Sequence, residues 1–486
     1  MRPPRCTSPP TPLDRDEPRR AVPQRADHDP ARPSRCHSVV PNCIAKPKGE
    51  KRSYVCDEIH GIKDVSSLNL RRPIDRGYVV NWDLQKDIWH HVFSKLLKVD
   101  PKKCHLVLTE APFNLPAVAT AQDEAVFKHF GFKSCVTCAP AGLVMTETLG
   151  RARDAREGRA DDEDATRMRM KKIAADARCG VVVDVGFSFA HVTPVFDGRV
   201  VRAAVRRINL GGKALTNYLK ELVSYRQWNM MDEYFLVDDV KEKLCYVAAD
   251  ADSFQAELRR ARVRGPSNEV NREYVLPDGV HVTRGYVKAG PARDPDEDED
   301  EDEDDPDEGG TRKKARGGGD GNKKKRRANG VSGPGVKVSH PNHQTLGMGN
   351  ERFMVPEALF HPSDVGLAQA GVAEATARAV EAVKRDARLR GLFYANVVLC
   401  GGCAALPGFA RRFECELRQF VDAGDELNVS VAADGDPVGA AWRGGSRLGA
   451  SDEFERTALT REAYLADPAA VVEKLERNAP VIPGRA

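Results

Sequence analysis

One segment of the chain places an acidic residue and a glycine where a strand is expected to end. This segment, VVVDVGFSFAHVTPVFDG, begins at Val181, and its strand–turn–strand pattern can bring backbone N–H groups to a phosphate. Asp184 could hold a hydrated Mg²⁺, because proteins bind this ion through one or two carboxylates together with substrate phosphates. His191 could orient a water molecule. The alternative is a structural hairpin with a buried aspartate and a hydrogen-bonded core histidine.

A second glycine motif follows another apolar strand. In VVLCGGCAALPGF, the strand runs into Gly401 and Gly402 before a helix, an arrangement that allows close approach to a nucleotide. Taken alone, this signal is as weak as any glycine pair. The two strand–glycine motifs lie roughly 200 residues apart, which suits two related lobes that grip one nucleotide.

Two CxxC pairs, Cys135–Cys138 and Cys400–Cys403, could together supply the four ligands that zinc requires. Cys400, however, stands inside an apolar strand, so we predict buried thiols and no metal site. The 12 cysteines are scattered through apolar segments. That distribution favours a reducing compartment over a disulfide scaffold.

The elements that must position these residues alternate between helix and strand. In the first part of the chain, DLQKDIWHHVFSKLLKV at 83–99 has apolar residues at helical spacing. HLVLTEAPF at 105–113 is typical of a buried strand followed by a loop, and QDEAVFKHFGF at 122–132 is typical of a helix that ends at Gly131. This alternation predicts a mixed α/β fold.

The same alternation continues beyond residue 178. GVVVDVG predicts a strong strand, followed by a hairpin with its turn at Asp197–Gly198 and a helix in GGKALTNYLKELV. Further along the chain we expect a helix at about 366–386, the strand NVVLCGG, the helix GFARRFECELRQF and a helical C-terminal region.

The composition of the 486 residues sets broad limits. Hydrophobic residues make up 41% and charged residues 30%, while the net charge is only +3 because the charges are segregated along the chain. No apolar stretch reaches the 18 residues or so of a membrane span, so no membrane association is expected. Residues 1–37, rich in Pro and Arg, bury too little apolar surface to offset chain entropy and are predicted to be disordered.

Two charged insertions interrupt the globular sequence, at 151–178 and at 291–345. The second contains the acidic run Asp296–Glu308, followed by basic clusters at 312–314 and 323–327. The acidic run is either a solvated linker or a contact for basic histones. The basic clusters suit a nuclear import signal or direct DNA binding, although without aromatic residues for base stacking.

Taken in order, these motifs resemble the actin family, and within it a nuclear class of actin-related proteins. The resemblance covers the chain from about residue 38 to its end, except for the insertions. It is carried by DEI at 57–59, GYVVNWDLQKDIW at 77–89, LTEAPFNLP at 108–116, the hairpin after Val181, RRINLGGKALTNYLKELVSYRQ at 206–227, MDEYFLVDDVKEKLCYVAAD at 231–250, EYVLPD at 273–278, ERFMVPEALFHPSDVG at 351–366, GGCAALPGF at 401–409 and AWRGGSRL at 441–448.

The resemblance implies the two-lobed, ribonuclease H-like actin fold, each lobe built on a mixed sheet flanked by helices. Lobe I is expected to comprise residues 38–150 and 437–486, and lobe II residues 179–290 and 346–436. It further implies that ATP would be held between the lobes. The family's nucleotide-binding positions map onto Asp184 and Gly186 in the phosphate hairpin, Lys241 and Glu242 near the adenosine, and Gly401 and Gly402 on the base and phosphate side.

Three departures from the family pattern count against catalysis. The first phosphate hairpin, with its Asp-Asn-Gly type of loop, has no counterpart, and the Pro/Arg-rich residues 1–37 stand in its place. Val185 replaces the expected serine hydroxyl, and Ala141 stands where the glutamine that positions the attacking water is expected. We therefore expect no catalytic residues and no meaningful hydrolysis. Whether ATP binds as a structural cofactor stays open.

The resemblance also implies a biological role. We expect a scaffold subunit of a SWR-type chromatin remodeller, which exchanges nucleosomal dimers for those carrying the Z-type histone variant. The implied partners are a Snf2-type ATPase, a small zinc-containing subunit and the nucleosome, in a hetero-oligomer located in the nucleus, with the cytoplasm as a further location. Partner specificity is expected in the loops around 225–240 and in the charged insertion. The first alternative is an ATP-binding actin-like protein that assembles or hydrolyses, and the second is a sugar kinase or chaperone of the same superfamily.

Overall fold

The computed structural model describes residues 38–468, with gaps at 63, 66–67, 155–177, 198, 264–267, 279, 290–342 and 384–389. The described residues from Val40 onward belong to one compact unit. Their strands, in chain order, are β1 (Ile44–Lys46), β2 (Tyr54–Val55), β3 (Asn69–Arg71), β4 (Ile74–Asp75), β5 (Tyr78–Val79), β6 (His105–Thr109), β7 (Ser134–Cys138), β8 (Gly180–Val185), β9 (Ala190–Phe196), β10 (Arg199–Val200), β11 (Arg206–Ile208), β12 (Arg272–Val275), β13 (Tyr286–Val287), β14 (Thr345–Met348), β15 (Val397–Cys400), β16 (Val429–Val431) and β17 (Leu459–Thr460).

The α-helices of the described residues are α1 (Trp82–His91), α2 (Pro116–Asp123), α3 (Pro140–Asp154), α4 (Gly212–Arg226), α5 (Tyr234–Leu244), α6 (Ala251–Ala261), α7 (Glu351–Glu357), α8 (Val372–Glu381), α9 (Arg390–Tyr394), α10 (Phe409–Leu417), α11 (Ala440–Gly449), α12 (Asp452–Thr457) and α13 (Arg461–Ala466). Two helices continue with wider, π-type turns, α1 through Val92–Leu96 and α2 through Glu124–Phe130. None of the helices in this part of the chain combines the length and the apolar character needed to cross a membrane.

The largest sheet has the strand order β10-β9-β8-β15-β16, and β11 also pairs with β9. β8, β15 and β16 run parallel, whereas β9 runs antiparallel to β8. Asp184 is therefore paired on one side with Cys400 of β15 and on the other with His191 of β9. The register brings the ends of both strand–glycine motifs to the same edge of this sheet.

Both faces of this sheet are covered, which explains the uninterrupted valine run of β8. Val181, Val183 and Val185 face a large core that also includes residues of α4, α5, α8 and α10. Val182 faces the other side, where it packs with Val144 of α3 and with residues of β15 and α11. Because successive side chains of a strand point to opposite faces, the valine run fills two cores at once.

A smaller sheet has the order β17-β7-β6, with β6 parallel to β7 and β17 antiparallel to it. Aromatic side chains fill one side of this sheet. Phe127 stacks on Tyr464 at a centroid distance of 4.8 Å, and Phe93 meets Phe130 and Phe132 edge to face. The helix after α2 ends at Gly131, whose φ of +76° turns the chain toward β7.

Helices α3 and α11 pack closely because α11 contains a glycine pair. The Gly444 backbone lies against the carbonyl of Leu143, and a side chain there would collide with it. Beside this contact, the Arg447 Nε donates to a Glu147 carboxylate oxygen at 2.6 Å, and the Glu147 side chain is only 1% exposed. The AWRGGSRL motif thus joins residues near 145 to residues near 445.

The strands and helices predicted from the sequence are present. They include the helix from 83, the strand HLVLT, the strand GVVVDV, the hairpin around Asp197 and the helices of GGKALTNYLKELV and GFARRFECELRQF. The helix expected at 366–386 begins later, at Val372, because Gly366 with its φ of +77° first closes a short 3₁₀ turn. Mixed α/β architecture is thereby confirmed, while the proposed division into lobes I and II stays a prediction.

The three segments expected to be disordered or inserted lie largely outside the described residues. Residues 1–37 lie outside them, and so do 155–177 of the first insertion and 290–342 around the second. Within the described ranges, α3 continues to Asp154, and β14 starts at Thr345 and pairs with β12. The bounds of the two insertions, 151–178 and 291–345, stay predictions.

Candidate functional site

Asp184 lies at the end of β8, where its carboxyl group is buried between the two neighbouring strands. Burial raises the pKa of this carboxyl to about 6, because the charged form loses its hydration. Its placement at the carboxyl end of a strand, beside the parallel strand β15, is a typical ligand position in α/β proteins. The sequence-based placement of the acid at a strand end is therefore reproduced.

Gly401 stands beside Asp184 and has a structural reason to be glycine. Its φ of +89° lies in the left-handed region, and a Cβ atom there would lie 2.5 Å from the Val185 carbonyl oxygen and 2.6 Å from the Asp184 Oδ1. Gly402, in contrast, has open space where a Cβ would be and begins a short 3₁₀ helix. Of these two glycines, it is Gly402 that leaves room for a ligand against the backbone.

Lys241 of α5 is buried, and its ammonium group is bound within the protein. The Nζ atom donates to the Asp238 carboxylate at 2.6 Å, to the Thr216 hydroxyl at 2.8 Å and to the Gly212 carbonyl at 3.3 Å. These three acceptors match the three donors of an ammonium group. In this conformation Lys241 therefore ties α5 to the start of α4.

Gly186 completes the group that the fold brings together. Its N–H donates to the Phe189 carbonyl, closing the turn between β8 and β9, and its carbonyl accepts from the N–H of Gly212. The Cys403 thiol points at the same carbonyl, at 3.6 Å. Glu242 is exposed at the rim, where partial burial of its carboxyl and the negative charge of Asp238 raise its pKa. Asp184, Gly186, Lys241, Gly401 and Gly402 thus converge, with Glu242 at their edge.

The turn after Gly186 carries aromatic side chains, and two arginines lie over them. The Arg72 guanidinium lies 5.4 Å from the ring centroid of Phe187 and 4.5 Å from that of Tyr234. The Arg207 guanidinium lies 3.5 Å from the ring centroid of Phe189. A cation over an aromatic face is attracted by the ring quadrupole. We call these five residues the arginine–aromatic cluster.

The arginine–aromatic cluster extends to the hairpin of β4 and β5. Arg207 Nη1 donates to the Tyr78 hydroxyl at 2.8 Å, and that hydroxyl donates to the Phe113 carbonyl at 2.9 Å. Nearby, the Lys213 Nζ lies 3.7 Å from the Asp75 carboxylate. These contacts fasten the hairpin to the turn after β8.

The chemistry available at this site is limited. Ala141 is 4% exposed and packs among apolar residues of β8 and β15, so it presents no polar group to a water molecule. Burial and the positive charge of Arg207 lower the pKa of His191 to about 4, so its ring is neutral at neutral pH. The Phe187 and Phe189 rings at this turn offer a phosphate no hydrogen-bond donor, and the Gly186 N–H is already bonded to the Phe189 carbonyl.

The four CxxC cysteines pack in different apolar clusters. Cys135 lies among the aromatic rings around Tyr464, Cys138 lies beside Leu143, and Cys400 and Cys403 belong to opposite faces of the main sheet. Burial raises the pKa of Cys135 and of Cys138 to about 12, which disfavours the thiolate that a zinc ligand must become. Within the described ranges, no group of three or more His, Cys, Asp or Glu side chains could hold a metal ion.

Sequence reasoning missed the arginine–aromatic cluster. The segment GFSFA at 186–190 carried a signal for it, because it places two phenylalanines in a turn where small residues would leave space for a phosphate. The Arg206-Arg207 pair lies on an adjacent strand, where only the β9–β11 register places Arg207 next to His191. Arg72 could not have been assigned, because its contacts join residues more than 100 positions apart.

Comparison with known proteins agrees with this fold. The actin family model matches residues 27–476, a range that begins before the predicted start at 38. The actin-related protein 6 of Oryza sativa subsp. indica is 40% identical over 429 residues, covering 88% of this chain and 90% of the relative. The actin-related protein 6 of Arabidopsis thaliana is 39% identical over 434 residues, covering 88% and 91%, and that of Drosophila melanogaster is 34% identical over 429 residues, covering 88% and 91%. The chain belongs to the actin family, and within it to the actin-related protein 6 group.

Proposed function

We propose that this chain is a non-catalytic, actin-related scaffold subunit of a SWR-type chromatin remodeller that exchanges the Z-type histone variant into nucleosomes. A separate Snf2-type ATPase supplies the motor activity. A small zinc-containing subunit and the nucleosome are the other proposed partners, and the nucleus is the proposed location. Membership of the actin-related protein 6 group supports this proposal. The sequence motifs resemble a nuclear class of actin-related proteins, and that resemblance implies the scaffold role.

The observation that carries the non-catalytic part of the proposal is the arginine–aromatic cluster. Where the family holds phosphates, Phe187 and Phe189 occupy the turn and Arg207 is engaged by Phe189 and Tyr78. Phosphoryl transfer depends on positioning and on charge stabilisation, and neither a ring nor the buried Ala141 side chain provides them. The fold is thereby available for binding rather than turnover.

An ATP-binding, actin-like protein is the second candidate. It is favoured by the convergence of Asp184, Gly186 and Lys241 with the Gly401–Gly402 turn, which keeps part of the family's nucleotide site in place. The open space beside Gly402 favours it too. The aromatic turn and the internally bonded Lys241 weigh against it.

The last turn of α4 and the segment that follows it, residues 225–231, are the proposed contact for the motor subunit. Tyr225 is 93% exposed, and Trp228 and Met231 nearby are also exposed. Exposed aromatic and methionine side chains within seven residues of chain are typical of protein interfaces. The Trp228 indole N–H donates to the Thr345 carbonyl, so the segment is held against β14 rather than free.

Affinity purification of the tagged chain from nuclear extract, followed by mass spectrometry, tests the proposal. We expect recovery of a large Snf2-type ATPase, helicase-like ring proteins and the Z-type histone. The double variant Tyr225→Ala/Met231→Ala should recover less motor subunit, whereas the matched control Tyr286→Ala, on β13, should recover as much as the parent chain. Recovery of actin-filament partners without remodeller subunits would return the second candidate to first place.

A further inference from the structure

A basic groove lies at one end of the small sheet β17-β7-β6. Its lining residues fall within 102–134 and 454–462 and include none of the arginine–aromatic cluster. It encloses about 790 Å³. Its cationic side chains are Lys102, Lys128, Lys133 and Arg461, and its acidic ones are Glu455 and Glu462. His105 and His129 also line it. The groove therefore has an excess of positive charge before either histidine is protonated.

The backbone holds the cations of the basic groove in place. The Lys133 N–H donates to the Cys104 carbonyl, and the Arg461 N–H donates to the Lys133 carbonyl, which ties β7 to α13 across the groove. Arg461 Nε donates to the Phe127 carbonyl at 2.9 Å. The cations thus project from rigid elements.

The floor of the groove offers further polar groups. The His105 Nδ1 lies 2.7 Å from the Ser134 hydroxyl, and Ser134 is buried at the start of β7. The His105 ring also packs against Phe454 at a centroid distance of 5.9 Å, which fixes its orientation. A phosphate oxygen at this floor could accept hydrogen bonds from a hydroxyl or a ring nitrogen, as well as from the lysines around it.

The charges of Lys102, Lys133 and Arg461 are available to a partner. Lys128 is neutralised in part, because its Nζ lies 2.7 Å from the Glu124 carboxylate. No ion pair joins Lys102, Lys133 or Arg461 to a carboxylate among the residues that the structure describes. Three cations that face one groove repel one another, and a polyanion placed between them would relieve that repulsion.

We propose that the basic groove binds the phosphate backbone of DNA. The inference rests on the proposed function, because a nucleosome offers DNA phosphates as its densest array of negative charge. Pockets for small molecules are mostly apolar and enclosed, whereas this groove is lined by lysines, an arginine and histidines. Lysine and arginine side chains that contact phosphates fix the position of a protein on DNA without reading its sequence.

The groove favours an anionic partner. Lys102, Lys133 and Arg461 carry only donors, which match the acceptor oxygens of phosphates, and competition with an acidic peptide separates DNA from an acidic protein. Basic histone tails would be repelled by the same groove. DNA binding here should accordingly be independent of sequence and strongly dependent on salt.

Fluorescence anisotropy of the full-length chain with a labelled duplex DNA tests the proposal. The double variant Lys102→Glu/Lys133→Glu should weaken binding by about tenfold at moderate salt and should lower the slope of log K against log salt by about 2. The matched control is Lys103→Glu, the neighbouring lysine, which does not line the groove. It should change the affinity less than twofold. Lys102 and Lys133 are exposed, so circular dichroism should show an unchanged fold.

Two outcomes would overturn the proposal. One is an equal loss of affinity in the double variant and in Lys103→Glu, which would mean that DNA is held elsewhere, for example by the basic clusters at 312–327. The other is displacement of the DNA by a polyglutamate peptide of matched charge as efficiently as by unlabelled DNA, which would assign the groove to acidic proteins.

The failure of this proposal is separable from failure of the proposed function. If remodeller subunits co-purify with the double variant but its DNA affinity equals that of the parent chain, only the groove assignment is wrong. If the groove binds DNA as expected and no remodeller subunits co-purify with the parent chain, only the proposed function is wrong.

Discussion

The central carbon of the Arg207 guanidinium lies 3.5 Å from the ring centroid of Phe189, and the Nη1 of the same guanidinium donates to the Tyr78 hydroxyl. One side chain therefore joins the turn after β8 to the β4–β5 hairpin. Arg207→Ala should remove a cation–π contact and a hydrogen bond, and we expect local opening of the hairpin to become about 2 kcal/mol easier. Hydrogen exchange of the amides of residues 74–81 should become roughly 30-fold faster.

Two variants serve as controls for this prediction. Tyr78→Phe keeps the ring but loses the hydroxyl, so its effect should be about half as large in free energy. Arg206→Ala removes a neighbouring guanidinium whose hydrogen bonds within the described part of the chain go to the nearby Ala203 and Val205 carbonyls, and it should leave the exchange of residues 74–81 unchanged. If Arg206→Ala and Arg207→Ala accelerate exchange equally, the arginine–aromatic cluster does not hold the hairpin.

The adjacent glycines Gly401 and Gly402 should respond very differently to a methyl group. Gly401→Ala forces a Cβ to within 2.6 Å of the Asp184 carboxylate at a φ of +89°, and we expect a loss of about 3 kcal/mol in the free energy of unfolding. Gly402→Ala meets open space, and its effect should stay below about 1 kcal/mol. Urea unfolding of both variants measures the difference. Equal destabilisation would show that the left-handed backbone at Gly401 is not required.

The buried carboxyl of Asp184 should make stability depend on pH. Its pKa is about 6 in the folded chain and about 4 when unfolded, so the folded state binds the proton more tightly. The titration of Asp184 should therefore remove about 3 kcal/mol of stability as the pH rises from about 4 to about 6, with no further loss from this group above that range. Asp184→Asn lacks this titration.

The measurement is the difference in unfolding free energy between Asp184→Asn and the wild type at pH 4.5, 5.5, 6.5 and 7.5. It should shift in favour of the variant as the pH rises. His191, whose pKa is lowered to about 4, titrates in both proteins and its contribution largely cancels in the difference. A difference that stays constant over this pH range would mean that the carboxyl is hydrated in the folded chain.

Magnesium ATP should leave the thermal stability of the chain unchanged and should release no phosphate above the buffer rate. A ligand at 100 times its Kd would add about 2.7 kcal/mol and raise Tm by about 3 °C. Differential scanning fluorimetry with millimolar nucleotide would detect such a rise. If a saturable rise appears and Gly402→Val abolishes it by filling the open space, the second candidate function is supported instead.

Much of the main sheet was predictable because its signals are local. The valine run of β8 must be buried on both faces, and a turn at Asp197 must return the chain beside it. Asp184 at the end of one such strand and Gly401 at the end of another were expected to belong to two related lobes that grip one nucleotide, but their register places them on neighbouring parallel strands of one sheet.

The engagement of Lys241 and the arginine–aromatic cluster were not predictable in this way. Lys241 sits in a motif that the family uses near adenosine, yet its three donors are taken by Asp238, Thr216 and Gly212. The acceptors around the Lys241 ammonium group depend on how α4 packs against α5. This packing is decided by the whole core rather than by residues close in sequence.

The parallel pairing of β8 with β15 has a consequence for how the chain matures. Val181 finds its partner Val397 only after the intervening residues have been synthesised, which takes roughly 10–40 s at ordinary rates of translation. β7 waits longer still for Leu459 of β17. β8 can pair early with β9, and β7 with β6, but the other edge of each strand stays unpaired on the ribosome, so the nascent chain should depend on chaperones that shield these edges until the last helices emerge.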